Sequence, residues 1–326
     1  MRALALISGG LDSLLAARLV KGQGIEVIGL KFRIPFYARK TKDFAHLDIE
    51  VKEIDIKEGF LEILKGPRYG FGSKINPCID CKILMFSKAK EILRQLEAKF
   101  VVSGEVLGQR QMSQHRQALE LIEKRAGLSG LIVRPLSARL LAETIPEKAG
   151  WINRQNLLGF SGRSRRPQIE LAQKLGLKNY AQPAGGCLLT DPAFANRLKD
   201  LIAHEELNLN NVELLKIGRQ FRISPHAKLV VGRNEAENNG LLKITEEGDH
   251  LFMPHQIAGP TALGRGVFNE DLIKLASSIV CRYSDRNGNP SADILVKQGQ
   301  SPVRGAAPVL LKASPLAEDK LISLRI

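Results

Sequence analysis

Two kinds of text alternate along the first half of the chain, and that alternation constrains the fold more than any other feature. Apolar runs at Ala3 to Ile7, Glu26 to Phe32, Leu47 to Ile56, Phe100 to Ser103 and Leu131 to Leu136 are separated by stretches of helical spacing, among them Asp12 to Val20, Ile79 to Leu96 and Gln114 to Lys124. Runs this apolar belong to strands buried on both faces, and strands separated by helices pair in parallel, because a parallel pair needs a long crossover. The expectation is an α/β domain whose parallel sheet is covered by helices on both sides. Ligands of such sheets bind beyond the carboxyl ends of the strands. Three polar segments fall there: SGGLDS (Ser8 to Ser13), SGEVLGQR (Ser103 to Arg110) and RPLSAR (Arg134 to Arg139).

The alternation stops after Lys178, where YAQPAGGCLLTDP has the turn chemistry of a junction and Ala193 to His204 then reads as an amphipathic helix. At 326 residues the chain exceeds the roughly 100–200 residues that one core commonly serves. A boundary near Thr190 gives a first domain over 1–190 and a smaller α+β domain over 191–326. In the second, short strands are expected at Lys228 to Gly232, Leu251 to Gln256, Asp293 to Val296 and Val309 to Lys312, with fewer helices.

Charge divides in nearly the same place. Residues 1–200 hold 33 Lys and Arg against 20 Asp and Glu, whereas residues 201–326 hold 15 against 14. The surplus in the first part attracts polyanions through its summed field and through release of counterions from phosphates. No apolar run approaches the ~20 residues that span a bilayer. The opening MRALALISGG runs into glycines and an amphipathic stretch rather than a cleavage site, so it is read as a buried first strand of a cytoplasmic protein with no membrane partner.

SGGLDS joins that strand to a helix. A glycine-rich turn in this position offers backbone N–H groups and the positive end of a helix to an anion. Gly9 and Gly10 permit close approach, Ser8 and Ser13 supply hydroxyls, and Asp12 holds a cation or caps the helix. Neither the Walker lysine nor the dinucleotide G-x-G-x-x-G spacing is present. The plain alternative is an ordinary strand-to-helix turn with a polar cap.

The four cysteines, Cys78, Cys81, Cys187 and Cys281, are too few and too scattered for a secreted disulfide scaffold. Cys281 follows an apolar helix, Leu272 to Val280, and reads as a core residue. The other three suggest metal or redox chemistry. The glycine-rich connection GPRYGFGSKINPCID, Gly66 to Asp80, carries the first pair in CxxC spacing into a helix.

SGGLDS resembles the pyrophosphate loop of the PP-loop ATP pyrophosphatases, which split ATP between the α- and β-phosphates and transfer AMP to a substrate oxygen. The resemblance implies a Rossmann-like (adenine nucleotide alpha hydrolase) fold, ATP and Mg²⁺ as cofactors, and Ser8, Gly9, Gly10, Asp12 and Ser13 around the pyrophosphate. It further places Leu30, Lys31 and Phe32 beside the adenine; a solvated strand-end charge is the alternative for Lys31. SGEVLGQRQMSQ, Ser103 to Gln114, is similar to the segment after the fourth strand of tRNA 4-thiouridine synthetases, which implies that Gly104, Glu105, Leu107, Gly108 and Gln109 lie by the nucleotide. NPCIDC (Asn76 to Cys81) and GGC (Gly185 to Cys187) resemble the cysteine elements of tRNA thiolation enzymes, including the 2-thiouridylases.

Thiolation needs a soft nucleophile to deliver sulfur. A 4Fe-4S cluster on Cys78, Cys81 and Cys187, with one iron left open for hydrosulfide as in the related iron–sulfur thiolases, is one expectation. A redox pair, Cys81 with Cys187, in which one carries a persulfide and the other resolves it, is the rival. Zinc fits less well, since no histidine lies at matching spacing.

The densest basic stretch is GRSRRP, Gly162 to Pro167. Arg110, Arg134, Arg154, Arg163, Arg165 and Arg166 are the expected phosphate contacts of a tRNA, with Arg116 and Arg139 in the same half. Aromatic residues make up only 5% of the chain, so recognition by extensive base stacking is not expected. The resemblance covers Met1 to Asp191, and KLVVGRNEAEN, Lys228 to Asn238, looks like a domain of RNA-associated translation quality-control proteins. The 4-thiouridine synthetases carry their RNA-binding domain ahead of the loop; here the loop comes first. Together these imply ATP-dependent tRNA uridine thiolation, with tRNA and a sulfur donor, sulfide or a cysteine desulfurase relay, as partners. The alternatives are a PP-loop enzyme thiolating or amidating a small molecule, and a non-catalytic RNA-binding protein.

Overall fold

A computed structural model describes residues 1–37, 48–177, 180, 187–298 and 307–326. The chain forms two compact units, Met1–Asp191 and Pro192–Ile326.

In the first unit the elements run β1 (Arg2–Leu6), α1 (Leu11–Lys21), β2 (Glu26–Arg33), β3 (Val51–Asp55), α2 (Lys57–Lys65), α3 (Cys78–Gln95), β4 (Phe100–Val102), α4 (Arg116–Ala126), β5 (Ile132–Val133), α5 (Ile145–Lys148) and α6 (Arg166–Lys174). The five strands pair in parallel in the order β3-β2-β1-β4-β5. The sheet is Rossmann-like, as expected. β1 is central, and its Ala3, Leu4 and Ala5 are buried to within 1%, which is why that strand reads as an unbroken apolar run. Strand order reverses between β1 and β4, and a crevice opens at such a switch point beyond the strand ends. SGGLDS follows β1 and SGEVLGQR follows β4, so the topology alone sets these two segments side by side.

The second unit contains α7 (Pro192–Ala203), α8 (Leu209–Leu214), β6 (Arg219–Ser224), β7 (Ala227–Val231), α9 (Glu235–Ile244), β8 (His250–Pro254), β9 (Ala262–Gly266), α10 (Glu270–Arg282), β10 (Ala292–Gln298), β11 (Val309–Ala313) and α11 (Glu318–Leu324). Its six-stranded sheet has the order β11-β10-β8-β9-β7-β6 and is antiparallel. One face is covered by α10 and α11, with Phe221, Phe252 and Ile294 in the core; the other carries a smaller cluster around Leu214, Val230 and Leu241. The unit holds five helices among the described residues, more than its strand-rich text led us to expect. Cys281 is fully buried and its thiol donates to the Ala313 carbonyl at 3.1 Å, the core role expected of it. Among the described residues no helix is long and apolar enough to cross a membrane.

Candidate active site

The phosphate loop is held open by its own small residues. After β1, Ile7 N–H still donates to Leu30 O at 2.8 Å, and the chain then turns through Gly9, whose φ of 76° lies in the left-handed region that glycine enters without strain. Gly10 is the N-cap of α1. Ser13 Oγ donates to Gly10 O at 2.8 Å and accepts from Ser8 N–H and Ser8 Oγ, each at 3.3 Å. The two hydroxyls thus tie the loop across its mouth. Gly104, just past β4, approaches the first turn of α1 so closely that a Cβ there would stand 2.5 Å from Ser13 N and 2.6 Å from Asp12 O. Backbone cannot yield as a side chain can. Gly104→Val is therefore expected to destabilise the unit by about 2 kcal/mol and to weaken ATP binding, read by urea unfolding and by calorimetric titration with ATP.

Asp12 is the charged centre of the loop. Its Oδ2 accepts from Gln109 Nε2 at 3.2 Å and from Arg165 Nη2 at 3.3 Å. Its Oδ1 is buried without a partner among the described residues, and so is Nε of Arg165. A buried oxygen with an unspent lone pair suits a hard cation such as Mg²⁺, and a buried N–H with no acceptor suits an anion. Arg165 reaches Asp12 because Leu107 forms a parallel bridge to Ser161, Gly162 N–H donates to Leu107 O at 2.8 Å, and Ser137 Oγ accepts from Leu107 N–H and donates to Phe160 O. The segments SGEVLGQR, RPLS and GRSRR are stitched into one wall.

Glu105 lies beneath that wall with its side chain 2% exposed. It accepts from Arg134 Nε at 3.0 Å and pairs with Lys82 Nζ at 3.4 Å, and Arg134 pairs further with Glu123. Burial alone would raise the Glu105 pKa; Lys82 and Arg134 outweigh it and hold the carboxyl below the ordinary range. Lys82 follows Cys81 on α3, so this buried network couples the cysteine helix to the nucleotide wall. Sequence reasoning missed Lys82, although its place next to Cys81 was the available signal.

Two expectations need correction here. Arg134 was expected against RNA, but it is 4% exposed and its guanidinium is committed to two carboxylates. Leu30 and Phe32 were expected beside adenine, yet they are 0% and 4% exposed, packed into the core, while Lys31 on the other face is paired with Glu53 of the neighbouring strand. Strand alternation puts the two apolar side chains on the inside.

The cysteines occupy a second wall. Cys78 and Cys81 lie in the first turns of α3, where Asn76 Nδ2 donates to Cys78 Sγ at 3.1 Å. The Asp80 carboxylate accepts from the N–H groups of Arg68 and Tyr69 at 3.2 and 3.1 Å, fixing the glycine-rich connection to the helix. Cys187 forms an antiparallel bridge with Tyr37, and Leu188 N–H donates to Phe36 O at 3.0 Å, so the strand end of β2 positions it. Gly185 and Gly186 of the GGC element lie outside the described residues.

All three thiols are free and half-buried. Burial pushes the Cys81 thiol up to about 12, with Cys187 and Cys78 adding to the rise and Lys82 opposing it. It pushes Cys187 up to about 11; Cys78 adds to this, and Arg110 opposes it. The cysteines therefore share one electrostatic neighbourhood. Tyr37, raised chiefly by burial and then by Cys81 and Cys187, belongs to it too. Among the described residues no group of three or more His, Cys, Asp or Glu side chains is placed to hold a metal ion. The donor chemistry is that of a thiolate site, but these positions do not converge into the 4Fe-4S ligand set expected on Cys78, Cys81 and Cys187. Both raised thiols are protonated at neutral pH, so alkylation of Cys81 and Cys187 by iodoacetamide is expected to be slow at pH 7 and to rise about tenfold per pH unit to above pH 10, followed by peptide mass spectrometry.

The remaining arginines divide by role. Arg110, Arg163 and Arg166 are exposed, Arg166 pairing with Glu170. Arg154 is bound to Glu147 at 2.6 Å and to Leu141 O at 2.9 Å, which makes it a tie within the scaffold.

Comparison with known proteins fits this arrangement. The family model described as thiamine biosynthesis protein (ThiI) matches residues 1–139, and the model of the NFACT protein RNA binding domain matches residues 218–321. The chain is 35% identical over 112 residues to a tRNA-specific 2-thiouridylase of Sulfurimonas denitrificans, covering 30% of this chain and 32% of that protein. It is 34% identical over 131 residues to the enzyme of the same name from Petrotoga mobilis, covering 32% and 35%. The chain thus spans about a third of the length of the curated relatives it matches. Among solved structures, a 4-thiouridine synthetase–RNA complex with bound ATP is 19% identical and aligns over 65% of this chain and 52% of that one at a TM-score of 0.42. With its SGGLDS loop at the switch point and a match to the ThiI family model over residues 1–139, the first unit is similar to PP-loop proteins related to tRNA thiolation enzymes.

Proposed function

We propose that the protein is an ATP-dependent tRNA uridine sulfurtransferase. The observation that carries the reading is the pairing of two walls in one unit: a phosphate loop whose aspartate keeps one buried oxygen free, and three free cysteines within each other's field. Amide-forming members of the fold have no use for the second wall.

In the proposed reaction ATP lies on Ser8, Gly9, Gly10 and Ser13, with Gly104 and Gln109 at its side. Asp12 Oδ1 would hold Mg²⁺, which when bound neutralises phosphate charge. Arg165 exchanges its bond to Asp12 for one to a phosphate oxygen, where its buried Nε–H finds an acceptor. A uridine carbonyl oxygen attacks the α-phosphorus and pyrophosphate leaves, which converts a poor leaving group into AMP. A persulfide-bearing donor of the cysteine desulfurase type passes its outer sulfur to one of Cys81 and Cys187 and is left as a thiol; the terminal sulfur of the resulting persulfide then attacks the activated carbon and displaces AMP. The other thiolate attacks the inner sulfur, releases the thiocarbonyl product and closes a disulfide, which a reductant of the donor system reopens. Burial raises both thiols, and Lys82 beside Cys81 and Arg110 beside Cys187 oppose that rise and so favour the thiolate this step requires. Exposed Arg110, Arg163 and Arg166 supply phosphate contacts that position the RNA without reading its sequence.

The test is pyrophosphate release. Release from ATP that rises at least about tenfold with tRNA supports the reading; release driven by a small carboxylate or ketone without RNA would assign a small-molecule substrate, and none with any RNA would assign a non-catalytic RNA-binding role.

A further inference from the structure

The second unit matches an RNA-binding family model over residues 218–321, yet residues 201–326 carry 15 Lys and Arg against 14 Asp and Glu. A near-neutral surface gives little counterion release. Affinity for RNA in such a unit has to come from a local site, and one pocket has the required chemistry. It encloses about 310 Å³ between the start of β6, the entry to α9 and the end of α10, at the small end of the range for single small ligands.

On one side of the pocket the Arg219 guanidinium lies over the Tyr283 ring, 4.5 Å from Cζ to centroid, and its Nη1 donates to Gly232 O at 3.2 Å. Ring and carbonyl together fix the plane of the guanidinium. On another side stand Asn234, Glu235 and Asn238. The amide oxygens of the two asparagines are already used, accepting from Glu237 N–H at 3.0 Å and Thr261 N–H at 3.1 Å. Their Nδ2 groups and the Glu235 carboxylate have no hydrogen-bond partner among the described residues. Gly232 is needed beside them, because a Cβ there would stand 2.1 Å from the fixed Asn238 Oδ1.

We propose that this pocket takes one unstacked purine base of a single-stranded RNA segment, stacked on the Arg219–Tyr283 pair. A fixed guanidinium plane is a stacking surface for a base. The free carboxylate accepts from the ring N–H and exocyclic amine of a guanine edge, and the amide nitrogens donate to its carbonyl oxygen. Guanine is thus the best fit, and the site requires neither ATP nor the cysteines of the first unit.

The test uses the full chain without ATP and measures fluorescence anisotropy with two labelled hexaribonucleotides, all-uridine and uridine with a single guanosine. The guanosine oligomer is expected to bind about tenfold more tightly, with Arg219→Lys and Glu235→Gln each removing that preference while circular dichroism stays unchanged. Glu235 is exposed, so its variant folds. Equal binding of both oligomers, or a preference that survives both substitutions, would overturn the assignment. Free GMP competing as well as the oligomer would also overturn it, in favour of a mononucleotide site. Because ATP is absent, failure here leaves the thiolation reading standing, and loss of thiolation leaves this one standing.

Discussion

Cys187→Ser is expected to leave tRNA-stimulated cleavage of ATP within about threefold of the unsubstituted protein while lowering thiolated nucleoside by about 10³-fold or more. The separation follows from placement. Cys187 is fixed to Tyr37 at the exit of β2, and its neighbours are Cys78, Cys81 and Arg110. The phosphate loop, by contrast, is tied by Ser8, Ser13 and Gly104, and its aspartate by Gln109 and Arg165. An adenylated uridine would form and then hydrolyse for want of sulfur. Cys81→Ser should behave alike. Loss of pyrophosphate release in both variants would show instead that the cysteines act in activation.

The converse variant is Asp12→Asn. Pyrophosphate release should fall about 10³-fold, because the substitution removes the charge that would hold Mg²⁺ at Oδ1 and also the partner of Arg165. Iodoacetamide labelling of Cys81 and Cys187 should keep its rate and its pH profile, since Asp12 is not among the groups that shift either thiol. Arg165→Ala should raise the KM for ATP and lower kcat together, with Arg165→Lys recovering part of the loss as a point charge without the planar fork. A normal pyrophosphate yield from Asp12→Asn would remove the loop from the reaction.

The inner strands of the first unit were legible because buried strands such as β1 and β4 leave unbroken apolar runs, whereas the edge strand β3, VKEID, has no buried residue and leaves none; the glycines and small polar residues of SGGLDS are ones a tight strand-to-helix turn demands. What escaped is long-range. Arg134 is followed by a proline at a strand end, which reads as a solvent-facing site; only the fold reveals that Glu105 and Glu123, distant in sequence, close around it. Arg165 was read as one of several phosphate contacts, whereas the bridge from Leu107 to Ser161 delivers it to Asp12. In the second unit β9, with the text ALGRG, carries no strand signal. Gly264 is there because a Cβ would stand 2.4 Å from the Phe268 ring, so the aromatic side chain supplies the packing that the strand's own residue does not. Likewise β6 begins with charged Arg219 and alternates polar with apolar residues, and its role emerges only when Tyr283 is seen beneath that arginine.

The most direct measurement of the central claim is mass spectrometry of nucleosides from unmodified tRNA incubated with the anaerobically purified protein, ATP, Mg²⁺, a cysteine desulfurase with cysteine as persulfide donor and a thiol reductant, with iron and acid-labile sulfide assayed on the same preparation. A thiolated uridine that requires ATP and disappears with Cys187→Ser is the predicted result, and the persulfide step further predicts activity without stoichiometric iron. No thiolated nucleoside from any tRNA, under conditions in which pyrophosphate is released, would contradict the account.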